Sequence, residues 1–148
     1  MNEVSVFAVD PGPVESAFVV WDGKGILASG FMPNHALLEE GKARAMPRAI
    51  EMVSNYGMEV GDSIFRTVFW IGRFYEAWGT THLVTRHDVK LHLCHSARAK
   101  DTNIRQALID RLGEPGKKKT PGVTYGISGH KWAALAVAVT WWDREERG

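Results

Sequence analysis

The sequence predicts one α/β domain built on a mixed sheet, and three observations carry that prediction. Short apolar runs near the start are cut off by turn-forming residues, the middle alternates strand-like with helix-like segments, and the end is a single alanine-rich helical stretch. At 148 residues, with 45% hydrophobic and 24% charged side chains, the chain has the size of one compact domain, 1–148, and not of a multidomain machine.

The elements follow in order. Residues 4–9 form an apolar run that stops at Asp10-Pro11-Gly12-Pro13, and residues 16–21 form a second that stops at Asp22-Gly23-Lys24-Gly25. The pair reads as adjacent antiparallel strands, and residues 26–32 give a third strand ended by Pro33-Asn34. Residues 35–46 are rich in Ala, Leu, Glu, Lys and Arg and read as a short helix, stopped by Pro47. A fourth strand over 48–53 carries Glu51 and is followed by the polar loop Ser54-Asn55-Tyr56-Gly57.

From 60 to 78 apolar residues recur at helical spacing as Val60, Ile64, Val68, Ile71, Tyr75 and Trp78, while Phe65, Phe69, Trp70 and Phe74 cover further faces. Such a helix has apolar surface to spare, either for a second copy of the chain or for a loop laid over it. A brief fifth strand over 82–85, a helical turn or two over 88–94 and a helix over 104–112 come next. Residues 113–126, with Lys117, Lys118 and Lys119 among prolines and glycines, read as an exposed loop between two helices. The last helix is expected over 129–144, with Ser128 as its N-cap and small alanines that allow close approach to the sheet.

Charge and cysteine content exclude several classes of function. Lys and Arg number 18 against 17 Asp and Glu, a net charge of +1, so a polyanionic partner must be met by a local patch. The single cysteine, Cys94, forms no internal disulfide and reads as a core residue. No stretch reads as a signal peptide or membrane span, so the expectation is a soluble, cytoplasmic protein with no membrane partner.

Three residues stand out chemically. Asp10 sits where an apolar strand runs into Pro-Gly, either projecting from a strand end where open α/β sheets place ligands or simply opening a turn. Glu51 lies among Ala49, Ile50, Met52 and Val53; buried, it needs a cation, a metal or an open strand end, and otherwise it faces solvent on an alternating strand. His130, one or two residues inside the final helix, is disfavoured as imidazolium there and is either a neutral metal ligand or an ordinary surface residue. If the two strand ends and the helix start converge, the three make a divalent-metal site suited to Mg²⁺ or Mn²⁺. The segment 96–103 mixes Arg98, Lys100 and Asp101 with small polar residues, as a phosphate-binding segment or as a solvated helix start capped by Asp101 or Thr102. The Lys117, Lys118, Lys119 run is either a backbone contact for DNA or a solvated loop.

Taken in order, Val9-Asp10-Pro11-Gly12, Ala49-Ile50-Glu51, Val89-Lys90 and the block from Ala134 to Thr140 resemble the RuvC family of Holliday junction resolvases. The likeness runs over nearly the whole chain. It is greatest to the compact RuvC-like resolvases of phages, through Tyr56-Gly57-Met58, Ile71-Gly72-Arg73-Phe74, Ala99-Lys100-Asp101 and Trp132-Ala133-Ala134-Leu135. The resemblance implies an RNase H-like fold, with a mixed five-stranded sheet flanked by helices, and a homodimer. It also implies hydrolysis of DNA at four-way or other branched junctions with two Mg²⁺ or Mn²⁺ ions per site, in the cytoplasm of a bacterial or phage-infected cell. Asp10 then matches the first-strand aspartate, Glu51 the fourth-strand glutamate and His130 the first ligand position of the last helix. One turn further on the RuvC proteins carry another Asp and this chain has Ala133, with Asp101 the nearest acidic residue to compensate. Lys90 and Lys100 match basic positions that face the scissile phosphate, and Tyr56 sits where an aromatic enters the junction. A junction-binding protein without turnover, and an RNase H-fold nuclease acting on flaps or RNA–DNA hybrids, are the other readings.

Overall fold

Period-two alternation decides which side chains each strand gives to which face of a sheet, and here both faces are covered. The computed structural model describes residues 5–54, 57 and 59–147. The early apolar runs become β1 (Val6–Asp10) and β2 (Glu15–Trp21), antiparallel with Val6 opposite Trp21 and Asp10 opposite Ala17. Next come β3 (Ile26–Pro33), antiparallel to β2, and α1 (Asn34–Ala43). The chain then returns through β4 (Arg48–Met52), parallel to β1, α2 (Asp62–Trp78), and β5 (Thr81–Thr85), parallel to β4. The sheet order is β3-β2-β1-β4-β5, so the mixed five-stranded sheet expected from the sequence is the one present. After it come α3 (Arg86–Cys94), α4 (Asp101–Leu112), the short strands β6 (Gly116–Lys117) and β7 (Thr120–Pro121), and α5 (Lys131–Arg147).

Val6, Ala8, Ala17, Val19, Trp21 and Ala49 face one helix layer, where they meet Ala134 to Val139 of α5 together with Val89, Ile104 and Leu108. Their neighbours Phe7, Val9, Phe18, Val20 and Ile50 face the other, against Leu37 and Leu38 of α1 and Ile71, Phe74 and Trp78 of α2. Small side chains on α5 let it lie close over β1 and β2, whereas the opposite layer is filled by aromatic rings. Phe74 and Trp78 stack with centroids 4.6 Å apart, and Trp78 Nε1 donates to the Leu38 carbonyl at 2.9 Å. Gly41 makes this possible: a Cβ there would lie 2.1 Å from the Trp78 ring.

Several boundaries depart from the sequence expectation, each for a local reason. The segment 113–126 is not a plain loop: β6 and β7 pair as a small hairpin carrying the lysine run. Ser128 does not cap α5 with its side chain. Its carbonyl accepts from the Lys131 N–H at 3.0 Å and Gly129 takes a left-handed φ of 53°, so the helix opens at Lys131 and His130 stands just before it, not inside it. α3 opens at Arg86, two residues before the expected start, because Thr85 and Asp88 form a reciprocal capping box. α4 is preceded by Lys100 as N-cap rather than by Asp101 or Thr102, and the Asn103 side chain accepts from the Lys100 N–H at 2.9 Å. On α2 the buried face is Thr67, Ile71, Phe74 and Trp78, so Val68 and Tyr75 of the apolar stripe read from the sequence are exposed with Phe65 and Phe69. The Trp78 anchor against α1 sets that rotation. Cys94 is half-buried at the rim of the core.

Candidate metal centre

Asp10 and Glu51 are each the next same-face residue after a buried alanine, Ala8 and Ala49. The parallel register pairs Ala8 with Ala49 and Val9 with Ile50, so the following step sets Asp10 beside Glu51 at the carboxyl ends of adjacent strands, on the α5 face. Both are largely shielded, Asp10 with its side chain 14% exposed and Glu51 with the whole residue 9% exposed. The solvent-facing alternative for Glu51 is therefore overturned. His130, at the start of α5, places Nδ1 2.8 Å from Asp10 Oδ2 while its side chain stays 82% exposed. The structure thus brings together the three residues that the sequence singled out.

The turn that carries Asp10 is held by a polar chain that sequence reasoning missed. The Gly12 N–H donates to Ser16 Oγ at 3.1 Å, the Ser16 hydroxyl donates to Asn34 Oδ1 at 2.6 Å, and Asn34 Nδ2 donates back to the Gly12 carbonyl at 2.9 Å. Ser16 and Asn34 are both buried, so each bond stands in place of water. A Cβ on Gly12 would lie 2.4 Å from the Glu15 carbonyl oxygen, which reserves the position for glycine. Asn34 looked only like the residue that ends a strand; its second role needed the fold to appear.

Burial sets the electrostatics. It raises the Asp10 carboxyl above the ordinary carboxylate range, against the lowering influence of His130 and Arg86. Glu51 is pushed up to about 7, first by burial and then by the charge of Asp10, with Arg86 and Lys90 acting the other way. Arg86, the second group that the sequence did not reveal, lies with one guanidinium nitrogen 3.8 Å from Glu51 Oε2 and the other paired with Asp101. The available signal was a cation directly after a capping threonine, at a helix end where positive charge is unfavourable.

The remaining expected residues scatter around this centre. Asp101 lines the same cleft as Glu51, His130 and Ala133, where its partner is Arg86. Lys90 follows one turn after Arg86 on α3, half-buried, close enough for its charge to bear on Glu51. Lys100 is exposed at the start of α4, and Arg98 is exposed in a different cleft with Asn103, Gln106 and Asp110. Lys117, Lys118 and Lys119 are exposed on the β6–β7 hairpin. Tyr56 lies outside the described residues.

Among the described residues no three His, Cys, Asp or Glu side chains form a group able to enclose an ion by themselves. A Mg²⁺ site does not need one, since this ion is commonly held by one or two carboxylates together with substrate phosphates and water. Two buried carboxylates side by side, one of them joined by an imidazole, form a donor set of that kind, and their mutual repulsion is what a divalent cation would relieve.

No family profile matches the chain, and no curated protein sequence matches it. Solved structures do. The Thermus thermophilus RuvC structure superposes with a TM-score of 0.69 at 16% identity, over 97% of this chain and 97% of that one. T. thermophilus RuvC in complex with Holliday junction substrate gives a TM-score of 0.69 at 15% identity, over 99% of this chain and 97% of that one. The chain therefore has the RuvC type of RNase H-like fold, as the resemblance in its sequence implied. Among the described residues no helix is long and apolar enough to cross a membrane.

The raised carboxyls give the metal-free protein a definite pH dependence. A carboxyl with a raised folded-state pKa holds its proton longer in the native than in the unfolded state, so its contribution is full below the unfolded value and falls as pH rises to the folded one. For Glu51 that window runs from 4.5 to about 7. It corresponds to about 3 kcal/mol at 1.36 kcal/mol per unit. Thermal melts in chelator are expected to show Glu51→Gln melting higher than the parent near pH 8 and a flatter decline across the window. Parallel profiles for the two proteins would contradict the burial of that carboxylate beside Asp10.

Proposed function

We propose that the chain is a metal-dependent, structure-selective DNA endonuclease that cuts phosphodiesters at four-way or other branched junctions, and that it works as a homodimer. The observation that carries this reading is the buried Asp10–Glu51 pair, flanked by His130, at the carboxyl ends of two central strands of a fold shared with a protein whose structure was determined on a Holliday junction. In this reading Asp10 and Glu51 hold Mg²⁺ or Mn²⁺, two ions per site, with phosphate and water oxygens completing the coordination. The chemistry supplied by such ions is activation of water and charge stabilisation at the leaving oxygen. His130 is a third ligand in this reading, set beside Asp10 by the 2.8 Å approach of its Nδ1 to Oδ2.

Around the pair, Lys90 and Lys100 present positive charge toward the scissile phosphate, and Asp101 supplies acidity near the position of Ala133. Arg98 and the lysines of the hairpin follow the backbone, and Tyr56 stacks on an opened base. One observation favours the reading without turnover: Ala133 lines the cleft with no carboxylate of its own. Metal-dependent cleavage of labelled four-way, three-way, flap and RNA–DNA hybrid substrates separates the alternatives. Asp10→Asn and Glu51→Gln are expected to abolish cutting of the junction while leaving its binding largely intact, because the neutral isosteres keep shape and lose metal affinity. Mg²⁺-dependent cutting by both variants would remove the pair from the site.

The dimer reading rests on α2, whose outer side exposes Phe65, Val68, Phe69 and Tyr75, Phe65 and Phe69 each at 63%. Two symmetric cuts in a junction need two sites related by a twofold axis. Sedimentation is expected to give a dimer at micromolar concentration and a monomer for Phe69→Glu. A parent protein that sediments as a monomer with and without DNA would refute this.

Binding by local cations gives a salt signature. Each phosphate neutralised contributes about 0.7 to 0.9 to the slope of log K against log salt. Replacing Lys117, Lys118 and Lys119 together by Ala is expected to flatten that slope and to weaken linear duplex and junction alike. An unchanged slope and affinity would place the DNA path elsewhere on the protein.

A further inference from the structure

The cleft beside the carboxylate pair, 190 Å³ in volume, holds a charged group with no part in the reading above. Arg86 is the first residue of α3, and a cation there faces the positive end of the helix dipole. What offsets that cost is a pair of carboxylates on either side. One guanidinium nitrogen lies 3.8 Å from Glu51 Oε2, an ion pair longer than a hydrogen bond, and the other is paired with Asp101. Its charge also bears on Asp10. Ala133 lines the same cleft with only a methyl group, so α5 contributes no carboxylate to compete for the guanidinium, and Arg105 of α4 adds a second cation to the wall. Arg86 keeps 30% of its side chain exposed and Asp101 keeps 80%, so the arrangement is shielded at its Glu51 end and reaches solvent at its Asp101 end.

We propose that Arg86, held by Asp101, is the standing counter-ion of the Asp10–Glu51 pair, that a divalent cation entering the pair displaces it from Glu51, and that the displaced guanidinium binds a DNA phosphate in the same cleft. This rests on the reading that Asp10 and Glu51 hold a metal ion that acts on DNA. A guanidinium fork matches two phosphate oxygens better than an ammonium does, and the Asp101 contact keeps it at the cleft when Glu51 is taken. Asp101 is thus a positioning residue for Arg86.

The test reads metal affinity first, with Mn²⁺ alone as probe and the loss of the free-ion electron paramagnetic resonance signal as readout, in the absence of DNA. Arg86→Gln removes the competing cation and is expected to tighten Mn²⁺ binding by about tenfold, the size of effect one charge exerts on a partly buried acidic site. Asp101→Asn leaves the guanidinium to Glu51 alone and is expected to weaken it. At saturating Mn²⁺, Arg86→Gln is expected to cut a four-way junction about a hundredfold more slowly, as loss of one aimed donor does elsewhere, and Arg86→Lys to fall between. Tighter metal with slower cutting is a pair of opposite signs that a damaged fold does not produce, since damage lowers both. Unchanged or weaker Mn²⁺ binding by Arg86→Gln overturns the counter-ion role, and an unaltered rate overturns the phosphate contact. A parent protein that binds Mn²⁺ yet cuts no branched substrate overturns the endonuclease reading instead, and the Mn²⁺ titrations still decide the counter-ion role.

Discussion

Two like charges held side by side under a helix are the constraint on which the site depends. The parallel pairing of β1 with β4 puts Asp10 and Glu51 on one face at one level, and α5 covers that face. Water is excluded where the two carboxylates most need it, so their ionisation is governed by whatever positive charge the rest of the molecule brings near. That charge comes from Arg86 and Lys90 on α3, while His130 at the start of α5 contributes a hydrogen bond to Asp10.

The scaffold is organised so that this arrangement holds its shape. Alanines on α5 bring the helix close enough to the sheet for His130 to reach Asp10, while the opposite face is locked by bulky rings, with Trp78 bonded to α1 across the Gly41 gap. The Gly12–Ser16–Asn34 hydrogen bonds fix the turn that begins at the end of β1 and tie it to the start of α1. Buried bonds of this kind are costly to break, because each partner left alone stays desolvated. The turn that follows Asp10 is thereby anchored to β2 and to α1.

Charge is distributed unevenly for a chain whose formal net is +1. Acidic groups are drawn inward at the site, whereas the lysines of the β6–β7 hairpin, Arg98 and Lys100 stand exposed. A near-neutral protein with its cations on the outside presents local positive surface without a long-range field, which favours contact with a polyanion at specific places over attraction at a distance.

The sequence by itself determined the five strands of the main sheet and their approximate limits, and it singled out Asp10, Glu51 and His130, because these follow from local rules. Apolar runs ended by Pro and Gly mark strands, and an acidic residue inside such a run is conspicuous wherever the chain folds. It also determined the kind of fold, through blocks whose order resembles one family. What only the tertiary structure decided were relations between residues distant in the chain: that Arg86 would lie between Glu51 and Asp101, that Ser16 would meet Asn34, and that α2 would turn Phe74 inward and Tyr75 outward. An arginine after a threonine, or a serine early in a strand, has no local energy that reveals its partner. Helix rotation, likewise, is set by which of several apolar stripes finds the better cavity, and on α2 that was the one ending in Trp78 against α1.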